Sequence, residues 1–347
     1  IQESVDWLEY FHYTKGNYDS DLRAKTGHHE PYQVKIWDLG NEVDGKPWEL
    51  GHKNAEDYIE TAREAAKAMK AVDNSIELVG CGSSWYSQNA WDDWNRKVLK
   101  GIGDKIKYLS IHSYWENSPD YYGYMGTSAK IFEDRINITA GEIKAVAATE
   151  GFKDPVYISV DEWGAFGRNF MNVLPIAQSF NSFIRHADVV KMGNFTMMTS
   201  LLANDPQKGT YKSPLFYTFK LFSNNCIGKS VDTYVQCDTF NTDKYAGIPY
   251  LDVTTTYSKE NNVVFINVVN RHKEKAVTAD IINTATAFSG KAEASMLTAT
   301  DLKEAFGFDK QNQYVPVKKE IDTKSNQFSY TLPPHSFTQI KVSLNEK

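Results

Sequence analysis

Three cysteines in 347 residues, Cys81, Cys226 and Cys237, are too few and too odd in number to frame a disulfide-stapled fold. No C-x-x-C pair occurs. No unbroken apolar run approaches the roughly 18 residues that a membrane-spanning helix needs, so no segment is expected to span a membrane. Basic residues are in the minority: 38 Lys and Arg against 44 Asp and Glu give a formal net charge of −6, the wrong balance for a nucleic-acid partner. A phosphate-cradling glycine turn is missing too. The nearest candidate, Gly80-Cys81-Gly82-Ser83-Ser84, lacks a third glycine and runs into Trp85, too bulky to sit against a pyrophosphate. An oxidoreductase on a nucleotide-binding sheet therefore has no support. There is also no initiator Met and no signal-peptide pattern. The opening IQESVDWLEYFHY reads as an amphipathic helix, and the native protein is expected to begin upstream; the compartment stays open.

What is abundant is aromatic. Eight Trp, 20 Tyr and 18 Phe exceed what a core requires, and aromatic faces suit flat apolar ligands, sugar rings among them. From residue 34 to about 225 short apolar strand-like runs (34–39, 76–81, 106–112, 156–161, 189–198) alternate with helical segments (54–72, 89–100, 128–150, 172–187, 213–224). In the first helix Ala55, Ile59, Ala62, Ala66 and Met69 recur at three- or four-residue steps behind a capping Asn54. Repeated strand–helix units imply a parallel α/β sheet, open or closed into a barrel. After Gly228 the pattern turns to alternation and β-branched runs (250–258, 262–270, 275–282, 328–344). An antiparallel β-sandwich is expected there. The division is placed at 1–228 and 229–347.

A barrel carries its chemistry at the C-terminal strand ends. The first run ends in Asn41-Glu42 with Trp48 close behind, the second in Gly82-Ser83-Ser84-Trp85, the third in His112-Ser113-Tyr114-Trp115 and the fourth in Asp161-Glu162-Trp163. A lone glutamate at a strand end is ordinarily a cap or a surface ion pair, and a lone histidine ordinarily structural. Two glutamates on strands three steps apart, each beside an amide or an indole, are a different matter. Glycosidic cleavage needs one acid to protonate the departing oxygen and a second carboxylate to attack the anomeric carbon or activate water. Glu42 and Glu162 are therefore expected to meet across one barrel mouth. The His28-His29-Glu30 cluster, with adjacent histidines before a proline and no helical H-E-x-x-H, reads as solvated loop rather than metal site. Asp38 and Asp44 read as structural.

The run WDLGNEVDGKPWELGHKNAEDY, then IELVGCGSS, YLSIHSYW and VDEW in that order, resembles the retaining α-L-arabinofuranosidases of glycoside hydrolase family 51 over nearly the whole chain. The resemblance implies a (β/α)8 TIM barrel followed by an all-β C-terminal sandwich. This chain would supply the barrel from about the third helix to the eighth, the first three strands having no counterpart in it. It further implies Glu42 as general acid/base, Glu162 as nucleophile, and Asn41 on the sugar 2-hydroxyl. Tyr114 would position the nucleophile, His112 would line the pocket, and Trp48 and Trp163 would be subsite walls. The acid would need a raised pKa and the nucleophile an ionised carboxylate. No metal or organic cofactor is required. The implied substrate is an arabinose-containing polysaccharide or oligosaccharide trimmed in exo fashion. The implied protein partner is a second copy of the chain or an N-terminal segment completing the barrel. One departure stands out: relatives often place a Gln where this chain has Met197. Two rivals remain: an endo-acting β-1,4-glucanase or xylanase on the same frame, and a non-catalytic carbohydrate-binding homologue.

Overall fold

A computed structural model describes residues 1–45, 53–84, 91–115, 120–165, 167–196, 198–323 and 325–345. In chain order the first elements are α1 (Gln2–His12), α2 (Tyr18–Lys25), β1 (Ile36–Asp38), α3 (Ala55–Val72), β2 (Glu77–Gly80) and α4 (Trp91–Ile102). Then follow β3 (Tyr108–Trp115), α5 (Tyr121–Glu150), β4 (Tyr157–Ala165), α6 (Val173–Arg185) and β5 (Val190–Phe195). After them come α7 (Met198–Leu201), β6 (Leu202–Asp205), β7 (Gly209–Lys212) and α8 (Pro214–Asn225). The remaining strands are β8 (Lys229–Val231), β9 (Thr239–Phe240), β10 (Ile248–Pro249), β11 (Leu251–Ser258), β12 (Val263–Asn270), β13 (Val277–Ile282), β14 (Phe288–Leu297), β15 (Val317–Asp322), β16 (Gln327–Leu332) and β17 (Ser336–Leu344).

The chain forms two compact units. The first comprises Ile1–Ser113, Arg135–Trp163 and Asp188–Asn194; the second comprises Tyr114–Asp134, Gly164–Ala187 and Phe195–Lys347. The sheet of the first unit has five strands in the order β1-β2-β3-β4-β5. β1 and β3 both run parallel to β2: Trp37 pairs with Leu78 and Gly80 with Leu109. Strand order that follows chain order, with a helix after each strand, is the winding of a (β/α)8 barrel, and this sheet is part of one. α3, α4, α5, α6 and α8 overlap the segments read as helical, whereas α2 and α7 are not among them. Asn54 caps α3 by accepting from the Asp57 N–H at 2.8 Å, which satisfies an amide that the first turn leaves without a partner. Ala55, Tyr58, Ala62, Ala65, Ala66 and Met69 then bury one stripe of the helix. At the amino end α1 forms as expected, and His12 ties it down by hydrogen bonds to Asp73 (2.6 Å) and the Val34 carbonyl (2.7 Å).

In the second unit a six-stranded antiparallel sheet, β15-β14-β17-β12-β11-β8, faces the two-stranded sheet β13–β16. Leu251, Val264, Ile266, Val268, Ala294 and Ile340 from one share a core with Phe328, Tyr330 and Leu332 from the other, as in a sandwich. The run 328–344 proves to be two strands. Pro333 and Pro334 lack the N–H a ladder needs, so the chain breaks there and β17 crosses to the centre of the larger sheet. Buried Asp252 and Arg271 form an ion cluster with the partly exposed Arg185, with Asp252–Arg185 at 2.9 Å and Asp252–Arg271 at 3.3 Å. All three cysteines are free thiols. Among the described residues no helix is long and apolar enough to cross a membrane.

Candidate active site

β1 ends at Asp38, and the chain turns at once. Leu39 still donates to the Val79 carbonyl at 2.9 Å. Gly40 then takes φ +104° and Glu42 φ +49°, and the latter is a left-handed conformation that a glutamate adopts only under constraint. The constraint comes from Asp44. Its carboxylate accepts from Ser84 N–H (3.0 Å), Ser83 Oγ (3.2 Å) and the Ser84 hydroxyl, stapling the loop after β1 to the loop after β2. That second loop is itself fixed. Ser83 N–H donates to Asn95 Oδ1 at 2.7 Å and Cys81 N–H donates to the Tyr58 hydroxyl at 2.7 Å. Gly82 allows the close approach: a Cβ there would lie 2.0 Å from the Ser110 carbonyl oxygen.

β3 and β4 bring up the other half. His112 Nδ1 lies 2.8 Å from Glu42 Oε1 and 3.9 Å from Glu162 Oε2, while its Nε2 lies 3.3 Å from Asp161 Oδ1. The Ser110 hydroxyl donates to the same Asp161 oxygen at 2.5 Å. One carboxylate oxygen of Glu42, one of Glu162 and a ring nitrogen of His112 all lie within 4.8 Å of one another. Burial alone would push the His112 imidazolium down, but hydrogen bonds to Asp161 and Glu42 and the charges of Asp161 and Glu162 outweigh it and raise its pKa to about 10. Desolvation and the Asp161 charge push Asp38 up to about 6, with His112 pulling the other way. The donor set of Glu42, His112 and Glu162 has the size of a metal site.

Asn41 is exposed beside Glu42. Tyr114, half-buried on β3, belongs to the second unit, where it packs near Gly164. Trp163 is 0% exposed; in this structure it is packing and offers no face to a ligand. Trp48 and Met197 lie outside the described residues. His28, His29 and Glu30 are exposed loop. Sequence reading missed Asp161 and Ser110 as members of the cluster, although Ser110 stands two residues from His112 and so shares its strand face.

The family model of the α-L-arabinofuranosidase C-terminal domain matches residues 161–336, and that of the α-L-arabinofuranosidase 1 domain matches residues 1–125. The chain is similar to intracellular exo-α-(1→5)-L-arabinofuranosidase 1 of Bacillus subtilis, 31% identical over 80% of this chain and 60% of the relative. It thus spans about 60% of that relative's length. Solved structures similar at TM-score 0.86 include two from Thermotoga species. One is the arabinose complex of α-L-arabinofuranosidase from Thermotoga maritima, 26% identical and covering 98% of this chain and 72% of that one. The other is the thermostable GH51 α-L-arabinofuranosidase of Thermotoga petrophila, 27% identical with 99% and 73% covered.

Proposed function

The chain belongs to the α-L-arabinofuranosidases of glycoside hydrolase family 51, and from that premise we propose that it cleaves terminal α-L-arabinofuranosyl groups with retention of configuration. The observation that carries the mechanism is the approach of Glu42 and Glu162 oxygens to within 4.8 Å. Retaining glycosidases hold their two carboxyl groups about 5–5.5 Å apart, too close for the water that inverting enzymes place between them.

Glu162 attacks the anomeric carbon and Glu42 protonates the departing oxygen. Glu42 then takes a proton from water as the glycosyl ester at Glu162 is hydrolysed. Asn41, exposed next to the acid, holds the sugar 2-hydroxyl. Residues 1–228 form the catalytic portion and 229–347 the supporting β domain. The substrate is an arabinose-bearing oligosaccharide or polysaccharide.

Release of nitrophenol from 4-nitrophenyl α-L-arabinofuranoside, with no fall in the viscosity of a β-glucan, is the expected activity. Chain cutting of the glucan without arabinofuranoside turnover would replace this reading by an endo-acting one.

A further inference from the structure

The reaction outlined above uses Glu42 and Glu162, yet the cluster contains a third carboxylate with no place in it. Asp161 is more enclosed than either, with its side chain 11% exposed against 23% for Glu42 and 27% for Glu162. A carboxylate this enclosed is costly unless something answers its charge. Ser110 and His112, two residues apart on β3, present their side chains to one face, and Asp161 on the neighbouring β4 spans both. One oxygen, Oδ1, takes the Ser110 hydroxyl at 2.5 Å and faces His112 Nε2 at 3.3 Å. The opposite nitrogen of the ring points at Glu42 Oε1, 2.8 Å away, and has Glu162 Oε2 at 3.9 Å.

Resting on the retaining-glycosidase reading, we propose that Asp161, seated by Ser110, is a positioning residue that aims the His112 ring at Glu42 and Glu162. The ring can turn about its bond to the backbone, and one hydrogen bond at Nδ1 leaves that turn free. A second partner at Nε2 fixes the plane and keeps a proton on each nitrogen. Among the described residues, further charges near the ring are Asp38, from the end of β1, and Arg135, whose guanidinium binds the His112 carbonyl at 3.3 Å and Ser113 Oγ at 2.6 Å. Arg135 holds the strand backbone, and Asp161 holds the ring. With the plane fixed, Nδ1–H meets the acid/base carboxylate at one angle through both half-reactions, and its positive charge lies next to the nucleophile.

A residue that acts through another loses its effect once that other is gone. Asp161→Asn and His112→Asn, separately and together, are measured on the full chain with 4-nitrophenyl α-L-arabinofuranoside. Asp161→Asn is expected to lower kcat about 10- to 100-fold in the His112 protein, with KM within about 3-fold. In the His112→Asn background it should cost less than about 3-fold. Equal losses in both backgrounds, or no loss in the first, overturn the proposal. Ser110→Ala, the milder variant, should lose about 3- to 10-fold and follow the same dependence on His112.

A second arm does not need turnover. In protein carrying ¹⁵N-labelled histidine at pH 8, His112 is expected to show two slowly exchanging ring N–H signals, and Asp161→Asn is expected to remove the one at Nε2. A single ring N–H in the unaltered protein overturns the proposal. Inactivity together with two such signals would instead count against the glycosidase reading and leave the positioning role standing.

Discussion

His112 Nδ1 stands 2.8 Å from Glu42 Oε1, joining the ends of β1 and β3, strands that have β2 between them. That contact exists because each side arrives by its own route. Glu42 is carried by a left-handed turn that Asp44 pins to the next loop, and His112 by a strand whose next neighbour supplies Asp161. The site is a set of strand ends tied together by side-chain hydrogen bonds.

Replacing Glu162 with Gln removes the proposed nucleophile and almost no volume. Turnover of an aryl arabinofuranoside is expected to fall by at least about 10³-fold, while affinity for an arabinose-containing oligosaccharide, read by calorimetry, stays within a few-fold. A protein that only binds the sugar would show no turnover to lose.

Glu42→Gln removes the proposed acid instead. The loss of kcat should be about 10²–10⁴-fold on natural linkages and much smaller with a leaving group as acidic as dinitrophenol, which departs without protonation. Steady-state rates on the two substrates check this. Equal losses on both would assign the acid elsewhere.

The His112 imidazolium has a pH signature. Its pKa in the fold is raised to about 10, from an ordinary value of 6.5, by hydrogen bonds to Asp161 and Glu42 that overcome burial. A raised folded-state pKa stabilises the protein fully below 6.5, and that contribution fades as pH climbs through about 10. The Tm advantage of the unaltered protein over His112→Asn, recorded at intervals from pH 6 to 10, is therefore expected to shrink towards the alkaline end. An advantage that is flat or grows contradicts a buried imidazolium.

Gly82→Ala tests how tightly the loop after β2 is seated. The new methyl would meet the Ser110 carbonyl at 2.0 Å and the Leu109 side chain at 3.1 Å, and a strand backbone cannot step aside cheaply. Destabilisation of about 3 kcal/mol or more is expected from urea unfolding, with loss of kcat in whatever remains folded, because Ser110 seats Asp161.

In the second unit, Asp252→Ala leaves Arg185 and Arg271 without their shared carboxylate. Burial already pulls the Arg271 pKa down, and Asp252 is the main charge opposing that. Removing one partner of a buried pair typically costs about 3–5 kcal/mol. Urea unfolding of Asp252→Ala against Asp252→Asn reads it; the asparagine variant, which keeps an acceptor, should lose less.

Much of this architecture is legible in the sequence because strands enclosed on both faces must be apolar and helices that cover them must carry a stripe. Ala55, Ala62, Ala66 and Met69 show it directly. Strands with one wet face are harder. β15 reads VKKEID and is almost wholly exposed, so no apolar alternation announces it, and β14 is interrupted by Ser289-Gly290-Lys291. The meeting of Glu42 with Glu162 follows from strand ends and a shared barrel mouth. The part played by Asp161 does not, since its neighbour Glu162 draws the eye and nothing local says which of two adjacent acids reaches across to β3. Trp163 misleads for the opposite reason: an indole beside a catalytic carboxylate looks like a wall for a sugar, yet it is fully buried.

The anomeric configuration of the first product tests the central claim most directly. In buffer containing methanol, the enzyme should transfer arabinofuranose to the alcohol, and ¹H NMR reads the anomer of the methyl glycoside, which, unlike the free sugar, does not mutarotate. Carboxylate oxygens within 4.8 Å predict methyl α-L-arabinofuranoside. The β anomer would mean a single displacement by an outside nucleophile, which this spacing does not allow.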